Sequence, residues 1–223
     1  MTGVTKQQSN YIKIMAILSM FIDHVGVIFF PQQVIFRIIG RIAFPLFAYQ
    51  IGVGFTHTRN EKKYFLRLLL LGAAIQLFYI LVAPITGEYP WNLNIFFTLA
   101  LGVAAIFSYE RKWYILFLCM IIMPSVLTLT NSINVDYGTY GILLIFIMYA
   151  QKDNFRKLAL YTTGLTFAFC FVVGSYIQVY CVAALLFIVK PFSLKAYIPS
   201  SVFYIFYPLH LAILYGISRW NIF

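Results

Sequence analysis

YIKIMAILSMFIDHVGVIFF, residues 11–30, decides the fold class: it is twenty residues long, and Lys13, Asp23 and His24 are its only acidic, basic or imidazole side chains. Wound as a helix at about 1.5 Å per residue, this stretch reaches about 30 Å, the thickness of a bilayer's hydrocarbon core. Comparable stretches recur outward from it, near 34–56, 64–85, 92–109, 113–130, 136–150, 157–173, 175–189 and 197–218. The whole chain of 223 residues is 62% hydrophobic and 10% charged, whereas soluble domains are about a quarter charged, so soluble classes are excluded. The expectation is an all-α, polytopic helical membrane protein of about nine transmembrane helices, with residues 1–223 forming a single transmembrane domain. MTGVTKQQSN, residues 1–10, is short and polar, and no small-residue cleavage site follows the first apolar segment, so that segment reads as a retained span.

A formal charge of +10 would suit nucleic acid if it formed one basic face, but here Lys and Arg fall in small groups between apolar runs, and no nucleic-acid partner is expected. HTRNEKK, YERKW, QKDNFRK and KPFSLK are basic; PQQ, TGEYPWN, LTNSINVD and the turn at Gly174–Ser175 carry no Lys or Arg. Such alternation follows the positive-inside rule, placing twelve of the sixteen basic residues on the cytoplasmic side, the N-terminus inside and the C-terminus outside. A single helix from 157 to 189 would be about 50 Å long, so a hairpin at Gly174–Ser175 is predicted instead. Cys119, Cys170 and Cys181 lack metal-ligand spacing and read as packing residues, so no metal is expected. EYPWN suits an interfacial aromatic belt, with sugar stacking on Trp91 as the alternative.

Lys13, Asp23, His24, Arg37, Arg41 and His210 fall inside apolar spans, where an ionisable group is expensive unless paired or wetted, and so mark a functional cavity. His24 and His210 each lie thirteen residues into an outward-running span, about 20 Å from the cytoplasmic edge. Arg37 and Arg41 share that outer half, and Asn92, Asn94 and Asp136 belong near it. Asp23 and His24 project about 100° apart, so Asp23 is expected to pair with Arg41 or Arg37 and leave His24 facing the cavity. Lys13, near the cytoplasmic end, either snorkels or joins His57, Arg59, Lys62 and Lys63 in a cationic mouth for an anionic phosphate ligand.

Five segments, KIMAILSMFIDHVGVIFFP (13–31), FRIIGRIAFPLFAYQIGVGFTHTRN (36–60), NIFFTLALG (94–102), YGTYGILLIFIMY (137–149) and FYIFYPLHLAIL (203–214), resemble the TraX family of integral membrane proteins. That family takes its name from a protein that acetylates the N-terminus of conjugative F pilin, and it is similar to membrane acyltransferases that O-acetylate cell-surface glycans. Those relatives carry a basic residue, ten intervening residues and a histidine in their first span; Lys13 and His24 have that spacing, and Arg41 matches the arginine that follows. The resemblance implies a bacterial cytoplasmic-membrane enzyme that takes acetyl-CoA from the cytoplasm and acetylates an extracytoplasmic glycan, wall polymer, lipid-linked sugar or protein amine. It implies Lys13, His57, Arg59 and Asn60 at the donor; His24 as base or nucleophile with Asp23, Arg41 and His210 around it; and Arg37, Asn94 and Thr98 in a polar pocket. Arg41, joined by Asn94, would stabilise the oxyanion, and His210 would be a second acid/base or an acceptor-binding residue. The rival is a proton-coupled transporter built on Asp23, His24 and Arg41; against it, no inverted repeat relates the two halves.

Overall fold

The structure, a computed structural model, describes residues 5–86, 92–193, 199 and 201–220; Trp91, Lys195 and Tyr197 lie outside the described residues. In chain order the elements are α1 (Lys6–Phe29), α2 (Val34–Gly40), α3 (Ala43–His57), α4 (Glu61–Thr86), β1 (Asn92–Leu93), α5 (Ile95–Glu110), α6 (Tyr114–Leu129), β2 (Asn134–Val135), α7 (Gly138–Ala150), α8 (Phe155–Val173), a 3-10 helix (Tyr176–Ala183), α9 (Ala184–Val189) and α10 (Ser201–Trp220). The all-α class therefore holds. Among the described residues four stretches, Lys6–Phe29, Val34–His57, Glu61–Pro84 and Phe155–Val173, are long and apolar enough to cross a membrane, and five further apolar helices run 10–17 residues. Their outward faces carry large apolar side chains such as Ile115, Leu129 and Phe171, as a lipid-facing surface requires.

Three local features depart from continuous α-helix. The second span is broken at Arg41–Ile42 into α2 and α3. Pro45 explains the break, because it has no N–H to donate to the Arg41 carbonyl and its ring crowds that carbonyl; Pro45 itself is tolerated in the first turn of α3. The segment at 175–189 begins as a 3-10 helix rather than an α-helix. Ahead of α5 and α7 the chain forms two short parallel strands, Asn92 opposite Asn134 and Leu93 opposite Val135.

Contacts divide the chain into two compact units, residues 1–50 with 153–223, and residues 51–152. In the first unit a capping box opens α1: Thr5 Oγ1 accepts from Gln8 N–H, and Gln8 Oε1 accepts from Thr5 N–H. α1 and α2 form a tight antiparallel hairpin across Pro31–Gln32. Gly26 faces Phe36 and Gly40 faces Asp23, and a Cβ at either glycine would occupy the opposing side chain's space. α8 ends at Gly174, whose φ of 71° favours glycine, and the chain turns back so that Thr166 meets Cys181 at 3.4 Å. The hairpin at Gly174–Ser175 is thus present. Tyr11 packs edge-on to Phe192, which sets the start of α1 beside the end of α9.

In the second unit the basic connections gather at one end. Arg111 contacts Glu61 at 3.5 Å, the Tyr149 hydroxyl donates to Glu110 at 2.8 Å, and Phe55 packs on Tyr149. These contacts bring the ends of α3, α5 and α7 to the start of α4. The paired strands, whose connections contain no Lys or Arg, mark the opposite end of α5 and α7.

Candidate active site

In the first unit, the α1–α2 hairpin places two arginines on one carboxylate. Arg37 Nη1 donates to Asp23 Oδ2 at 2.7 Å, and Arg41 Nη2 lies 3.9 Å from Asp23 Oδ1. One helical turn separates the arginines, and Arg41 Nε donates back to the Arg37 carbonyl at 3.4 Å, which fixes the second guanidinium against the first. Gly40 makes this possible, since its missing side chain leaves the space the Asp23 carboxylate fills. Gly40→Ala should therefore lower thermal stability in detergent by about 1–3 kcal/mol through overpacking, with the Asp23 cluster displaced. An unchanged melting temperature would show that α2 can shift without disturbing the ion pair.

The adjacent residue, His24, meets α10. Its Nδ1 lies 2.7 Å from His210 Nε2, and His210 Nδ1 lies 2.6 Å from the Phe206 carbonyl oxygen one turn earlier on the same helix. His210 is 3% exposed, and Phe206 stacks on it with ring centroids 4.7 Å apart. Hydrogen-bond chemistry assigns the protons. A carbonyl oxygen accepts only, so His210 Nδ1 carries its hydrogen; a neutral His210 then has a lone pair at Nε2, so the shared proton sits on His24 Nδ1. His24 Nε2 is left with its lone pair and no hydrogen-bond partner among the described residues. A nitrogen in that state can take a proton or attack an acyl carbon.

The other sequence-selected residues are placed differently. Lys13 sits in the same unit, eleven residues before His24 on α1, about 16 Å along the axis. His57, Arg59 and Asn60 belong to the second unit, at the junction of α3 and α4. His57 Nδ1 donates to the Val53 carbonyl at 2.9 Å, Arg59 is exposed, and Asn60 Oδ1 accepts from Lys63 N–H at 2.9 Å, the hydrogen bond of a helix cap. Asn94 and Thr98 also lie in the second unit, buried. The Asn94 amide donates to the Gly72 carbonyl at 2.8 Å and to Gln76 Oε1 at 3.0 Å, and its own oxygen caps α5 by accepting from Phe96 N–H. Both of its N–H groups are thus committed, which leaves no donor for an oxyanion. Thr98 donates its hydroxyl to the Asp136 carbonyl. Both residues are buried and tie the start of α5 to its neighbours.

A family model described as TraX protein matches residues 8–218. The chain belongs to the TraX family. The match covers both halves of the imidazole pair, His24 and His210, and the Asp23–Arg37–Arg41 cluster. The chain is similar to an uncharacterized protein of Rickettsia prowazekii (strain Madrid E), 27% identical over 162 residues, 69% of this chain and 62% of that protein. It is also similar to a protein of Dichelobacter nodosus described as a probable fimbrial assembly protein FimC, serogroup H1, 26% identical over 153 residues, 61% of this chain and 59% of that one. The chain spans about three fifths of the length of these curated relatives. No solved structure matches. Within this TraX-family fold, one site residue escaped the sequence reading. Gln178, on the 3-10 helix, accepts from Arg41 Nη1 at 3.3 Å. An amide inside the apolar run YIQVYCVAALLFIV was the available signal, by the same rule that flagged the charged residues.

Proposed function

We propose that this chain is an acyltransferase of the bacterial cytoplasmic membrane that moves the acetyl group of cytoplasmic acetyl-CoA to an extracytoplasmic or membrane-embedded acceptor, with His24 as the base or nucleophile. The observation that carries the reading is the hydrogen-bond chain Phe206 carbonyl, His210, His24, which leaves the His24 Nε2 lone pair uncommitted. In the direct route, Nε2 takes the proton of the acceptor hydroxyl or amine as its oxygen or nitrogen bonds the acyl carbon. The C–S bond then breaks, and the imidazolium returns the proton to the CoA sulfur, giving acetylated acceptor and free CoA. In the covalent route Nε2 bonds the acyl carbon as the C–S bond breaks and the CoA thiolate leaves; the acceptor's oxygen or nitrogen then displaces Nε2 from that carbon, and the proton it gives up matches the one the thiolate takes to become free CoA. Arg41, paired with Asp23 next to His24 in the chain, would supply positive charge for the developing oxyanion.

The reading carries a topology of nine crossings with the N-terminus inside and the C-terminus outside, supported by basic connections that gather at one end of the second unit. Lys13 lies at the cytoplasmic end of α1, about 16 Å before His24, close to the reach of an extended pantetheine arm; it serves the phosphate-bearing end of the donor. The acceptor is a glycan, a wall polymer, a lipid-linked sugar or a protein amine, and the fimbrial description of one relative keeps the last of these in view. A proton-coupled transporter gains less from the geometry, because the imidazole pair ends on a carbonyl that can accept a hydrogen bond but cannot pass a proton onward.

The test is incubation of the purified protein with radiolabelled acetyl-CoA, following CoA release and label on the chain, with membrane extract as the acceptor source. Time-dependent CoA release is expected, and Lys13→Ala should raise the KM for acetyl-CoA about three- to tenfold with kcat little changed, as loss of uniform donor binding does. Absence of both CoA binding and turnover would overturn the assignment.

A further inference from the structure

Gln178 is 4% exposed, and its Nε2 has no hydrogen-bond partner among the described residues. A buried amide donor left without a hydrogen bond is destabilising, so native proteins rarely keep one without a use. Its other end is fixed: Oε1 accepts from Arg41 Nη1 at 3.3 Å, and Arg41 is itself held by the Arg37 carbonyl through Nε and by Asp23 through Nη2. The orphan amide thus stands at the end of a half-buried polar chain that starts at Asp23, the residue beside His24. Arg41 has five N–H groups, and these three contacts leave at least two to spare, so the guanidinium and the amide form one cluster with unspent donors. Asp23 Oδ1 is also without a hydrogen bond among the described residues, so the chain is polarised but incomplete at both ends.

Resting on the acyltransferase reading, we propose that Gln178 Nε2, together with the remaining Arg41 N–H groups, receives the acyl carbonyl oxygen of acetyl-CoA. The oxygen gains negative charge as the acceptor's oxygen or nitrogen bonds the acyl carbon. It loses that charge as the C–S bond breaks, so fixed donors aimed at it favour the transition state over the free thioester. Asp23 takes no part in bond-making here: it orients Arg41, which orients Gln178. The 3-10 geometry of Tyr176–Ala183 places Gln178 on the buried side with Cys181, three residues on, where side chains eclipse.

The test compares binding of acetyl-CoA with that of S-ethyl-CoA, a thioether that lacks the carbonyl, by calorimetry on the purified full chain. Wild type should prefer acetyl-CoA by about tenfold, and Gln178→Leu should bind the two alike. Gln178→Glu retains the oxygen that meets Arg41 but turns the donor into an acceptor. It should melt near wild type, lose the preference, and release CoA about 100-fold more slowly at saturating acetyl-CoA. If Gln178→Leu does not fold, the Glu variant decides. Equal discrimination by wild type and variant, or none by wild type, overturns the role of Gln178 and leaves the acyltransferase reading standing. Failure of wild type to bind either CoA compound removes both.

Discussion

His24→Ala is expected to reduce acetyl-CoA-dependent CoA release by about 1,000-fold or more, to the level of protein-free controls, while the protein still inserts and purifies. The size of the loss follows from what Nε2 is asked to do: with no base, a hydroxyl must attack with its proton still in place, and an ammonium acceptor has no lone pair with which to attack. Ala also strips His210 Nε2 of its donor, leaving a buried acceptor unpaired at about 1–3 kcal/mol, so a fall in stability would accompany the fall in rate. His24→Asn separates the two effects. Its side-chain N–H2 can still donate toward His210, but it has no basic nitrogen, so stability should recover and activity should not. CoA release within tenfold of wild type in both variants would end the assignment of His24. Label held on the wild-type chain and absent from His24→Asn would select the covalent route.

How far the site was legible depends on the distance over which its residues act. Lys13, Asp23 and His24 share one helix, and Arg37 and Arg41 return along the next after a turn at Pro31. Asp23 and Arg37 are fourteen residues apart, near enough for the hairpin register to follow from the sequence. The partner of His24 lies 186 residues away, and no periodicity carries that information. Equal depth in two outward-running spans suggested that His24 and His210 share a layer, whereas their contact depends on how α1 packs against α10. Asn94 shows the opposite failure. Its type suggested pocket chemistry, yet a polar residue just before an apolar helix is also the mark of a cap, and the cap geometry is what the structure displays. The break at Arg41 was readable from Pro45 four residues later, and at the break Arg41 donates to Gln178.

His210 yields the sharper test of how the site works, because it is expected to act without touching the substrate. His210→Leu should lower kcat about 100-fold with the KM for acetyl-CoA changed less than about threefold. Free of its acceptor, the His24 ring can carry its proton on Nε2, the tautomer that can neither accept a proton nor attack. In serine-protease triads, a comparable loss of tautomer control costs about 10⁴ in kcat. The effect should be smaller here because the partner is a neutral imidazole, which provides no charge to stabilise His24 when it is protonated. His210→Gln tests this directly, since Gln Oε1 can stand near the position of Nε2 and accept from His24 Nδ1. That variant should regain most of the lost kcat, whereas a residue that only fills space beside Phe206 and Phe21 would be replaced better by Leu. Nitrogen NMR of labelled histidine should give the same ordering, with the proton on His24 Nδ1 in wild type and His210→Gln and a mixture of tautomers in His210→Leu. A Leu variant as active as wild type would reduce His210 to packing and break the hydrogen-bond chain on which the assignment of the His24 lone pair depends.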